Sequence, residues 1–256
     1  MSPVLEVTAL RKRFEGLIAL HDVDLAVEPG ERVALIGPNG AGKTTFFNCV
    51  LGVLSCDEGR VLLDGEDVTH LPVHRRARRG MGRTFQRIEL FAESTVREHL
   101  LIAERVRRGD GRLWKDLLGR GRPTREELAA CDEVLDHLGL LPLADEPIEH
   151  LSLGQGRLVE VGRALMTRPS LLLLDEPSSG LDRAETAHLA ETLRAVQAAR
   201  DVAILLVEHD VELISSFTQR AYVLDFGTLI AQGPTAEVLA NPQVRQAYLG
   251  TAGVPS

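Results

Sequence analysis

The chain has few cysteines, and neither its cysteines nor its histidines follow the pattern of a structural metal site. Its three cysteines, Cys49, Cys56 and Cys131, are odd in number and have none of the spacings of a zinc site. Cysteines of this kind suit a reducing compartment, and we expect them to act as small buried apolar residues. The eight histidines include no close pair with metal-site spacing, so the sequence predicts no transition metal.

Excess basic charge and long hydrophobic runs are also lacking. The 29 lysines and arginines are outnumbered by 37 aspartates and glutamates, which gives a formal net charge of -8. A chain with this balance has no overall field that attracts a polyanion, so we expect no nucleic-acid partner. The longest apolar runs, Leu171–Leu174 and Val202–Val207, are far shorter than the roughly 20 residues that cross a bilayer. The first ten residues lack a basic segment followed by an apolar run, which predicts that the protein is neither inserted nor secreted.

Short apolar runs alternate with helical patterns along most of the chain. The alternation predicts an α/β fold with a mostly parallel core sheet, in which ligands bind at the carboxyl ends of the strands. The predicted strands are Leu5–Leu10, Leu25–Val27, Arg32–Ile36, Gly59–Leu63, Leu171–Leu174 and Ala203–Val207. The predicted helices are Lys43–Leu51, Leu158–Met166, Ala184–Ala199 and a short one near Gln243–Leu249.

The middle of the chain has a different pattern. From about Ile88 to His150 there are no strand-like runs, and leucine, glutamate and arginine recur at helical spacing, which predicts a helical subdomain. We therefore expect one domain over residues 1–256, with a core of residues 1–87 and 158–256 and a helical subdomain of residues 88–157. Within the subdomain, Arg107–Arg125 combines glycines, a proline and basic residues, which is typical of a loop or a mobile hairpin.

A phosphate-binding loop follows the third predicted strand. The residues Gly37-Pro38-Asn39-Gly40-Ala41-Gly42-Lys43-Thr44 match the pattern G-x-x-x-x-G-K-[ST] and open a helix, which is the structural context that this motif requires. The glycines let backbone amides point at the β-phosphate, and the helix N-terminus adds partial positive charge. Lys43 reaches the β- and γ-phosphate oxygens and Thr44 is a ligand of Mg²⁺. We assign the next residue, Thr45, to the same ATP-binding set.

Two carboxylates follow the buried strand Leu171–Leu174. In a parallel sheet, Asp175 and Glu176 lie beside the phosphate-binding loop. Asp175 suits a second Mg²⁺ ligand, and Glu176 is placed to orient or deprotonate the attacking water. The alternative is a helix N-cap pair before Pro177, which the loop upstream disfavours.

Leu151-Ser152-Leu153-Gly154-Gln155 resembles the signature L-S-G-G-Q of the ABC ATPase family. The other family elements occur in order: Gln86 within Arg83–Gln86, Ser179-Gly180-Leu181-Asp182 after Glu176, and His209 after an apolar strand. The resemblance covers nearly the whole chain. It implies a phosphate-loop ABC ATPase domain with a mostly parallel core sheet, an N-terminal antiparallel β portion and an inserted helical subdomain.

The resemblance also implies roles for residues that the two strong motifs do not cover. Phe14 would stack on adenine, Gln86 would sense Mg²⁺ and nucleotide, and His209 would contact the γ-phosphate. Each has a plainer alternative, namely a core position for Phe14, a surface turn for Gln86 and a strand-end cap for His209. The remaining nucleotide contacts would come from the opposite protomer's signature and from the segment after Glu176: Ser152, Gly154, Gln155 and Asp182. Leu153 departs from the family glycine, and its side chain either crowds the partner's γ-phosphate or points away.

A narrower resemblance is to the ATPases of bacterial branched-chain amino acid importers. It rests on Gly82–Gln86, Leu90-Phe91, Thr95–Glu98 and Ala247–Gly250. It implies an ATP hydrolase that works as a homo- or heterodimer at the cytoplasmic face of the cell membrane, docked on membrane-spanning permease subunits and served indirectly by a substrate-binding protein. The alternatives are the ATPase of an ABC lipid exporter, a soluble ABC ATPase outside transport, and a phosphate-loop metabolic kinase. The last would not explain the signature.

Two clusters of arginines flank Gln86 and fill the basic loop. They are either solvated faces or contacts to anionic headgroups and to the cytoplasmic ends of membrane subunits. The first cluster consists of Arg75, Arg76, Arg78, Arg79, Arg83 and Arg87, and the second of Arg105, Arg107, Arg108, Arg112, Lys115, Arg120 and Arg122.

Overall fold

The structure is a computed structural model, which describes residues 2–84, 94–108 and 122–250. The strands in these ranges are β1 (Leu5–Phe14), β2 (Leu17–Val27), β3 (Arg32–Ile36), β4 (Glu58–Leu63), β5 (Glu66–Asp67), β6 (Met81–Arg83), β7 (Leu171–Asp175), β8 (Ala203–Val207), β9 (Arg220–Asp225) and β10 (Thr228–Pro234). The helices in these ranges are α1 (Lys43–Leu51), α2 (Val73–Arg78), α3 (Val96–Arg108), α4 (Arg125–His137), α5 (Leu153–Leu165), α6 (Arg183–Arg200), α7 (Val211–Phe217), α8 (Thr235–Ala240) and α9 (Pro242–Gly250), with short 3-10 turns at Leu141–Leu143 and Ile148–His150.

The strands form two sheets that match the predicted fold class. The larger sheet has six strands in the order β10-β9-β3-β8-β7-β6, and every neighbouring pair in it is parallel except β10 and β9. The smaller sheet has the order β2-β1-β4-β5 and is antiparallel throughout. The prediction of a mostly parallel core sheet with an N-terminal antiparallel portion is therefore confirmed.

The larger sheet separates two apolar clusters. Leu171 and Leu173 of β7 face a cluster that includes the small sheet and the helix α1, whereas Leu172 and Leu174 face a cluster that includes α3, α4, α5 and α6. Successive strand side chains point to opposite faces, so a continuous run of leucines serves both clusters. Both sides of the sheet are thus covered, as a parallel sheet requires.

The position of β7 along its neighbours is held at both ends. Before the strand, the Ser170 hydroxyl donates to the Asp64 carboxylate at 2.7 Å, and the Ser170 amide donates to the Gly80 carbonyl at 2.9 Å. After it, the Glu176 amide donates to the Val207 carbonyl at 2.9 Å. The strand that delivers the two carboxylates is therefore tied to three other parts of the fold.

The helix that carries the signature residues is longer than the sequence pattern indicates. It begins at Leu153 rather than at Leu158, because Ser152 is its N-cap and forms a reciprocal capping box with Gln155. The predicted division between residues 157 and 158 falls within this helix, and the division into core and subdomain stays a prediction. Among the residues that the structure describes, none of the helices has the length and apolar character that crossing a bilayer requires.

The first two strands also run further than predicted. They continue through irregular pairing, with register shifts between Val7 and Leu10 and again beyond Leu10. Ala9 and Asp22 have positive φ angles of 48° and 49°. These irregularities break the alternation of apolar and polar residues, which is why the sequence pattern stops at Leu10 although the strand continues to Phe14.

Arg76 corrects the simple reading of the first arginine cluster as a solvated face. Its side chain is buried, and its guanidinium donates hydrogen bonds to four backbone carbonyls, two of them at the end of α1. The four acceptors are the carbonyls of Leu71, Cys49, Val50 and Thr69. Arg76 therefore caps the C-terminal end of the helix that the phosphate-binding loop opens, where a positive charge is favourable.

Several arginines of the second cluster are engaged in ion pairs. Arg107 and Arg108, three and four residues after Glu104 on the same face of α3, both contact its carboxylate, and Arg105 contacts Glu127 at 3.2 Å. Arg112, Lys115 and Arg120 lie outside the described residues.

The cysteines match the prediction in part. Burial raises the pKa of Cys49 to about 11 and that of Cys131 to about 12, whereas Cys56 is only partly buried. Cys49 and Cys131 are therefore buried thiols that stay protonated at neutral pH.

Candidate active site

Three neighbouring strands of the larger sheet deliver the predicted site residues to one edge. β3, β8 and β7 are adjacent and parallel, so their carboxyl ends lie together. β3 is followed by the loop of residues 37–42, β8 by Glu208 and His209, and β7 by Asp175 and Glu176. Chain segments far apart in sequence thus converge where ligands bind in open parallel sheets.

The phosphate-binding loop has a backbone that a side chain would disrupt. Gly37 has a φ angle of 152°, and a Cβ atom there would lie 2.0 Å from the carbonyl oxygen of Leu224. The chain can therefore pass Leu224 at this point only as glycine. Pro38, Asn39, Gly40, Ala41 and Gly42 complete the turn, and α1 begins directly after it at Lys43.

Lys43 is buried and folded against its own loop. Its ammonium group donates to the carbonyl oxygens of Gly37 at 2.6 Å and of Pro38 at 2.9 Å. Burial lowers the pKa of Lys43, and the nearby carboxylates of Glu176 and Asp175 act in the opposite direction. The lysine is thus a desolvated cation close to both acids.

The surroundings of Asp175 disfavour its negative charge. Burial raises its pKa, and the negative charge of Glu176 raises it further, while Arg83 and Lys43 oppose the shift. A divalent cation at this position would relieve the repulsion between the two acids. The charge pattern therefore fits Asp175 as a metal ligand.

Glu176 has a backbone conformation that is rare for a side chain of its size. Its φ angle is 45°, in the left-handed region, and such conformations cluster at functional sites. Its Oε1 atom lies 3.7 Å from Nδ1 of His209. The two predicted catalytic residues are therefore neighbours, and His209 is largely exposed to the open edge of the sheet.

Glu208 is a residue of this edge that the motifs do not reveal. Its side chain is completely buried, one carboxylate oxygen accepts from Ser178, and the other accepts from the amides of His209 and Asp210. The sequence signal was a charged residue directly after the fully apolar strand Ala203–Val207. That signal is weak, because such a residue is ordinarily a solvent-exposed strand end.

A cleft of about 350 Å³ opens beside the phosphate-binding loop. Asn39, Lys43, Thr44, Thr45 and Glu176 line its polar side. Its apolar side consists of Phe14, Leu17, Ile18 and Phe226, which are all exposed.

Two aromatic residues, Phe14 and Phe226, lie on the apolar side of the cleft. Phe14 is 41% exposed and takes a cation–π contact from Lys12 at 5.4 Å, so the plainer alternative of a core position is wrong. Phe226 is 87% exposed at a φ angle of 42°. It stands in a turn whose Gly227 amide donates to the Ala41 carbonyl at 2.9 Å. Phe226 was not predicted, because a lone aromatic in a turn carries no motif.

The signature residues stand at the exposed N-terminus of α5. Ser152 Oγ accepts from the Gln155 amide at 3.3 Å, and the Ser152 amide donates to Gln155 Oε1 at 2.9 Å. The side chain of Gln155 is thereby used within its own protomer. The next amides of the helix, those of Leu153 and Gly154, belong to the first turn, where an anion is favoured.

Leu153 points back toward its own chain. A Cβ atom on Gly180 would lie 3.0 Å from Leu153 Cδ2, and a Cβ atom on Gly154 would lie 3.3 Å from Glu185 Oε1. The start of α5 thus packs on the segment after β7, where Asp182 forms the capping box of α6 with Glu185. Leu153 is 41% exposed, so part of its side chain contacts its own chain beside Gly180 and the rest faces outward.

A metal ion at this edge would need oxygen atoms from outside the acidic residues. Among residues 2–84, 94–108 and 122–250, no group of three or more His, Cys, Asp or Glu side chains could hold a metal ion. The predicted set for Mg²⁺ is Thr44, Asp175 and Gln86, and Gln86 lies outside the described residues. Mg²⁺ usually keeps one or two protein ligands together with phosphate oxygens and water, which this arrangement fits.

Residues 20–179 match the family model described as "ABC transporter". The chain belongs to the ABC transporter family. ATP hydrolysis coupled to transport is the activity of this ABC ATPase family, and the chain is one of its nucleotide-binding members. Residues 228–254 also match a model described as "Branched-chain amino acid ATP-binding cassette transporter".

Three relatives illustrate the similarity of this ABC ATPase to known proteins. The high-affinity branched-chain amino acid transport ATP-binding protein BraF of Pseudomonas aeruginosa is 40% identical over 98% of this chain and 99% of its own length. The lipopolysaccharide export system ATP-binding protein LptB of Haemophilus influenzae is 35% identical over 96% and 97%. The ADP conformation of MJ1267, an ATP-binding cassette of an ABC transporter, superposes with a TM-score of 0.87 at 32% identity over 98% of this chain and all of that one.

Proposed function

We propose that this ABC ATPase binds ATP with Mg²⁺ in the cleft beside the phosphate-binding loop. Lys43 would leave the carbonyls of Gly37 and Pro38 and place its charge on the β- and γ-phosphates, and the loop amides and the N-terminus of α1 would hold the β-phosphate. Thr44 and Asp175, with Gln86, would hold Mg²⁺. When bound, Mg²⁺ supplies positive charge between the phosphates and the acids. The observation that carries the proposal is that Lys43, Thr44 and Glu176 line one cleft at the carboxyl ends of the parallel strands.

Glu176 and His209 would then carry out the hydrolysis of ATP. A water oxygen attacks the γ-phosphorus, the bond to the β–γ bridging oxygen breaks, ADP keeps that electron pair, and the proton of the water passes to the Glu176 carboxylate. His209 lies 3.7 Å from Glu176 and would donate to a γ-phosphate oxygen. Glu176, whose φ angle is 45°, lines this cleft.

The cycle requires two protomers. We propose that they pair head to tail, so that each ATP lies between one phosphate-binding loop and the Ser152–Gln155 segment of the other chain. The amides of Leu153 and Gly154 in the first turn of α5 are the groups that would meet the γ-phosphate. ATP can drive closure only insofar as the closed dimer binds it more tightly than the open one.

The transport role rests on the relatives. BraF is named for high-affinity branched-chain amino acid transport, and the C-terminal match carries the same name. We propose that the chain energises import of branched-chain amino acids or related small solutes, as a peripheral subunit on the cytoplasmic face of the membrane. Its partners would be a second ATPase subunit and membrane-spanning permeases, with a substrate-binding protein acting indirectly.

Export of a lipid is the second candidate, because LptB is 35% identical over nearly the same length. The two functions predict different membrane subunits. Purification of the chain with its detergent-solubilised partners and identification of those partners decides between them. Permeases whose reconstituted vesicles accumulate branched-chain amino acids in an ATP-dependent manner would support import, and lipid-extracting partners would overturn it.

Lys43→Ala tests the site itself. We expect turnover by the purified complex to fall to background while the chain stays folded, because the two carbonyls that Lys43 contacts belong to its own loop, at residues 37 and 38. Arg125→Ala removes a positive charge from an exposed position at the start of α4 and serves as the control with unchanged turnover. Normal turnover by Lys43→Ala would reject the assignment of the loop.

A further inference from the structure

We propose that Glu208 is a positioning residue that fixes His209 and the segment after Glu176 relative to each other. Its carboxylate is fully buried and accepts four hydrogen bonds. Oε1 accepts from the Ser178 amide at 3.0 Å and from the Ser178 hydroxyl, and Oε2 accepts from the amides of His209 at 2.8 Å and Asp210 at 3.2 Å.

The two oxygens serve two different loops. Ser178 stands two residues after Glu176, in the loop that leads to Gly180 and the cap of α6. His209 and Asp210 begin the loop after β8, and Asp210 caps α7. The side chain of Glu208 therefore joins the loop after Glu176, the proposed general base, to the loop that contains His209, the proposed γ-phosphate contact.

The burial of the Glu208 carboxylate makes its hydrogen bonds to the two loops resistant to displacement. Removing a carboxylate from water is costly, and the cost is offset only when its lone pairs receive good hydrogen bonds. Hydrogen bonds to an ionised acceptor are about twice as strong as those between neutral groups. Because the four donors are three backbone amides and one hydroxyl, a shift of either loop would leave a buried charge poorly solvated. Glu208 thus fixes the separation of 3.7 Å between Nδ1 of His209 and Oε1 of Glu176.

Glu208→Gln is the informative change, because it keeps the size of the side chain and replaces one acceptor by an NH₂ group. That group would face amide or hydroxyl donors on one of the two loops. A misplacement of about 1 Å can cost roughly a hundredfold in rate. We expect kcat to fall by roughly tenfold to a hundredfold, while the KM for ATP changes by less than about threefold, since the phosphate-binding loop is untouched.

The decisive measurement is a double-mutant cycle with His209→Ala in the full chain with its partners. If Glu208 acts through His209, Glu208→Gln should reduce kcat by less than about twofold in the His209→Ala background. An equal loss in both backgrounds would overturn the proposal, because it would mean a general structural effect. Glu104→Gln is the matched control, since Glu104 is equally buried in α3 but pairs with Arg107 and Arg108 far along the chain from the sheet edge. We expect it to lower the melting temperature without lowering kcat.

The inference about Glu208 rests on the proposed role of His209 at the active site. The experiment distinguishes failure of the inference from failure of the proposed site. If His209→Ala keeps full turnover while Lys43→Ala is inactive, the site stands and the inference falls. If Glu208→Gln does not fold, Ser178→Ala removes only the hydroxyl donor to Oε1. That milder change should still lower kcat severalfold at constant KM, and wild-type kcat would overturn the link to the Ser178 loop.

Discussion

Leu153 covers Gly180: a Cβ atom on that glycine would lie 3.0 Å from the Cδ2 atom of the leucine. The two residues belong to the signature segment and to the segment after Glu176, which both face the proposed dimer interface. A side chain at position 180 would crowd Leu153 and displace it from this contact. The small residue at one position therefore accommodates the large residue at the other, within a single protomer.

Glu176→Gln should trap an ATP-bound dimer. The change keeps the size of the side chain but removes the base, so we expect hydrolysis to slow by at least roughly a hundredfold while binding and closure survive. Gel filtration of the purified chain with Mg²⁺ and ATP should show a dimer peak. The peak should vanish with EDTA or with ADP.

A monomeric Glu176→Gln chain would leave two explanations, which a second variant separates. Leu153→Gly added to Glu176→Gln removes the side chain over Gly180. Recovery of the dimer would mean that Leu153 weakens the contact to the partner's ATP. Continued failure would reject ATP-driven closure for the isolated chain. Because Leu153 Cδ2 lies against Gly180 of its own chain, we expect the dimer without this second change.

Phe14 and Phe226 should both bind the base. Stacking on an aromatic residue is worth about 1–3 kcal/mol, and 1.4 kcal/mol is tenfold in affinity. We expect Phe14→Ala and Phe226→Ala each to raise the KM for ATP by roughly tenfold with kcat little changed. Val106→Ala removes an exposed apolar side chain from α3 and is the control. An unchanged KM for Phe226→Ala would show that its exposed ring serves some other contact.

Asp175→Asn should stabilise the nucleotide-free protein and abolish turnover. Burial raises the pKa of Asp175 above its unfolded value, so the ionised group costs stability at neutral pH, and this cost disappears as the pH falls below the folded pKa. We expect the melting temperature at pH 7.5 with EDTA to rise by about 2–4 °C, the shift for each kcal/mol in a chain of this size. The gain should shrink toward acid pH.

The control for this change is Glu149→Gln, which neutralises an exposed carboxylate. It should leave the melting temperature unchanged at both pH values. A lower melting temperature for Asp175→Asn at pH 7.5 would contradict the electrostatic account and would indicate that the ionised carboxylate contributes to the fold.

Arg76→Met should destabilise the fold strongly. In the wild-type protein the guanidinium donates hydrogen bonds to four backbone carbonyls, and this change leaves all four without that donor. A buried acceptor left unpaired costs roughly 1–3 kcal/mol. We expect the free energy of unfolding in urea to fall by about 3 kcal/mol or more. Arg75→Met, at the exposed neighbouring position, should change it by less than about 0.5 kcal/mol.

Local patterns predicted the parts of the site that depend on local chemistry. The loop of residues 37–44 could be recognised because a tight turn around phosphate needs glycines, a lysine and a hydroxyl at fixed spacing. Asp175 and Glu176 could be recognised because they end a strand of four leucines. The rule for parallel sheets predicted that Asp175 and Glu176 would share an edge with this loop, but the position of β8 between β3 and β7 was not predicted.

The residues that escaped prediction are those whose role comes from distant partners. Arg76 lies among exposed arginines in sequence, and only the fold shows that the end of α1 meets it. Glu208 binds Ser178 across 30 positions, and no periodicity encodes that contact. The start of α5 was placed five residues late because Ser152 and Gln155 were assigned wholly to nucleotide contact rather than also to capping.

A run of four identical leucines does not by itself determine the register of β7 relative to the neighbouring strands. If β7 slipped by one residue, Leu171–Leu174 would still present leucine to both apolar clusters, although Asp175 would move about 3.3 Å. The alignment must therefore be set by the residues at the two ends, and one of these is Ser170, which is hydrogen-bonded to Asp64 at the opposite end of the strand from Asp175. The Ser170 hydroxyl, five residues before Asp175, thus helps to set the position of both carboxylates.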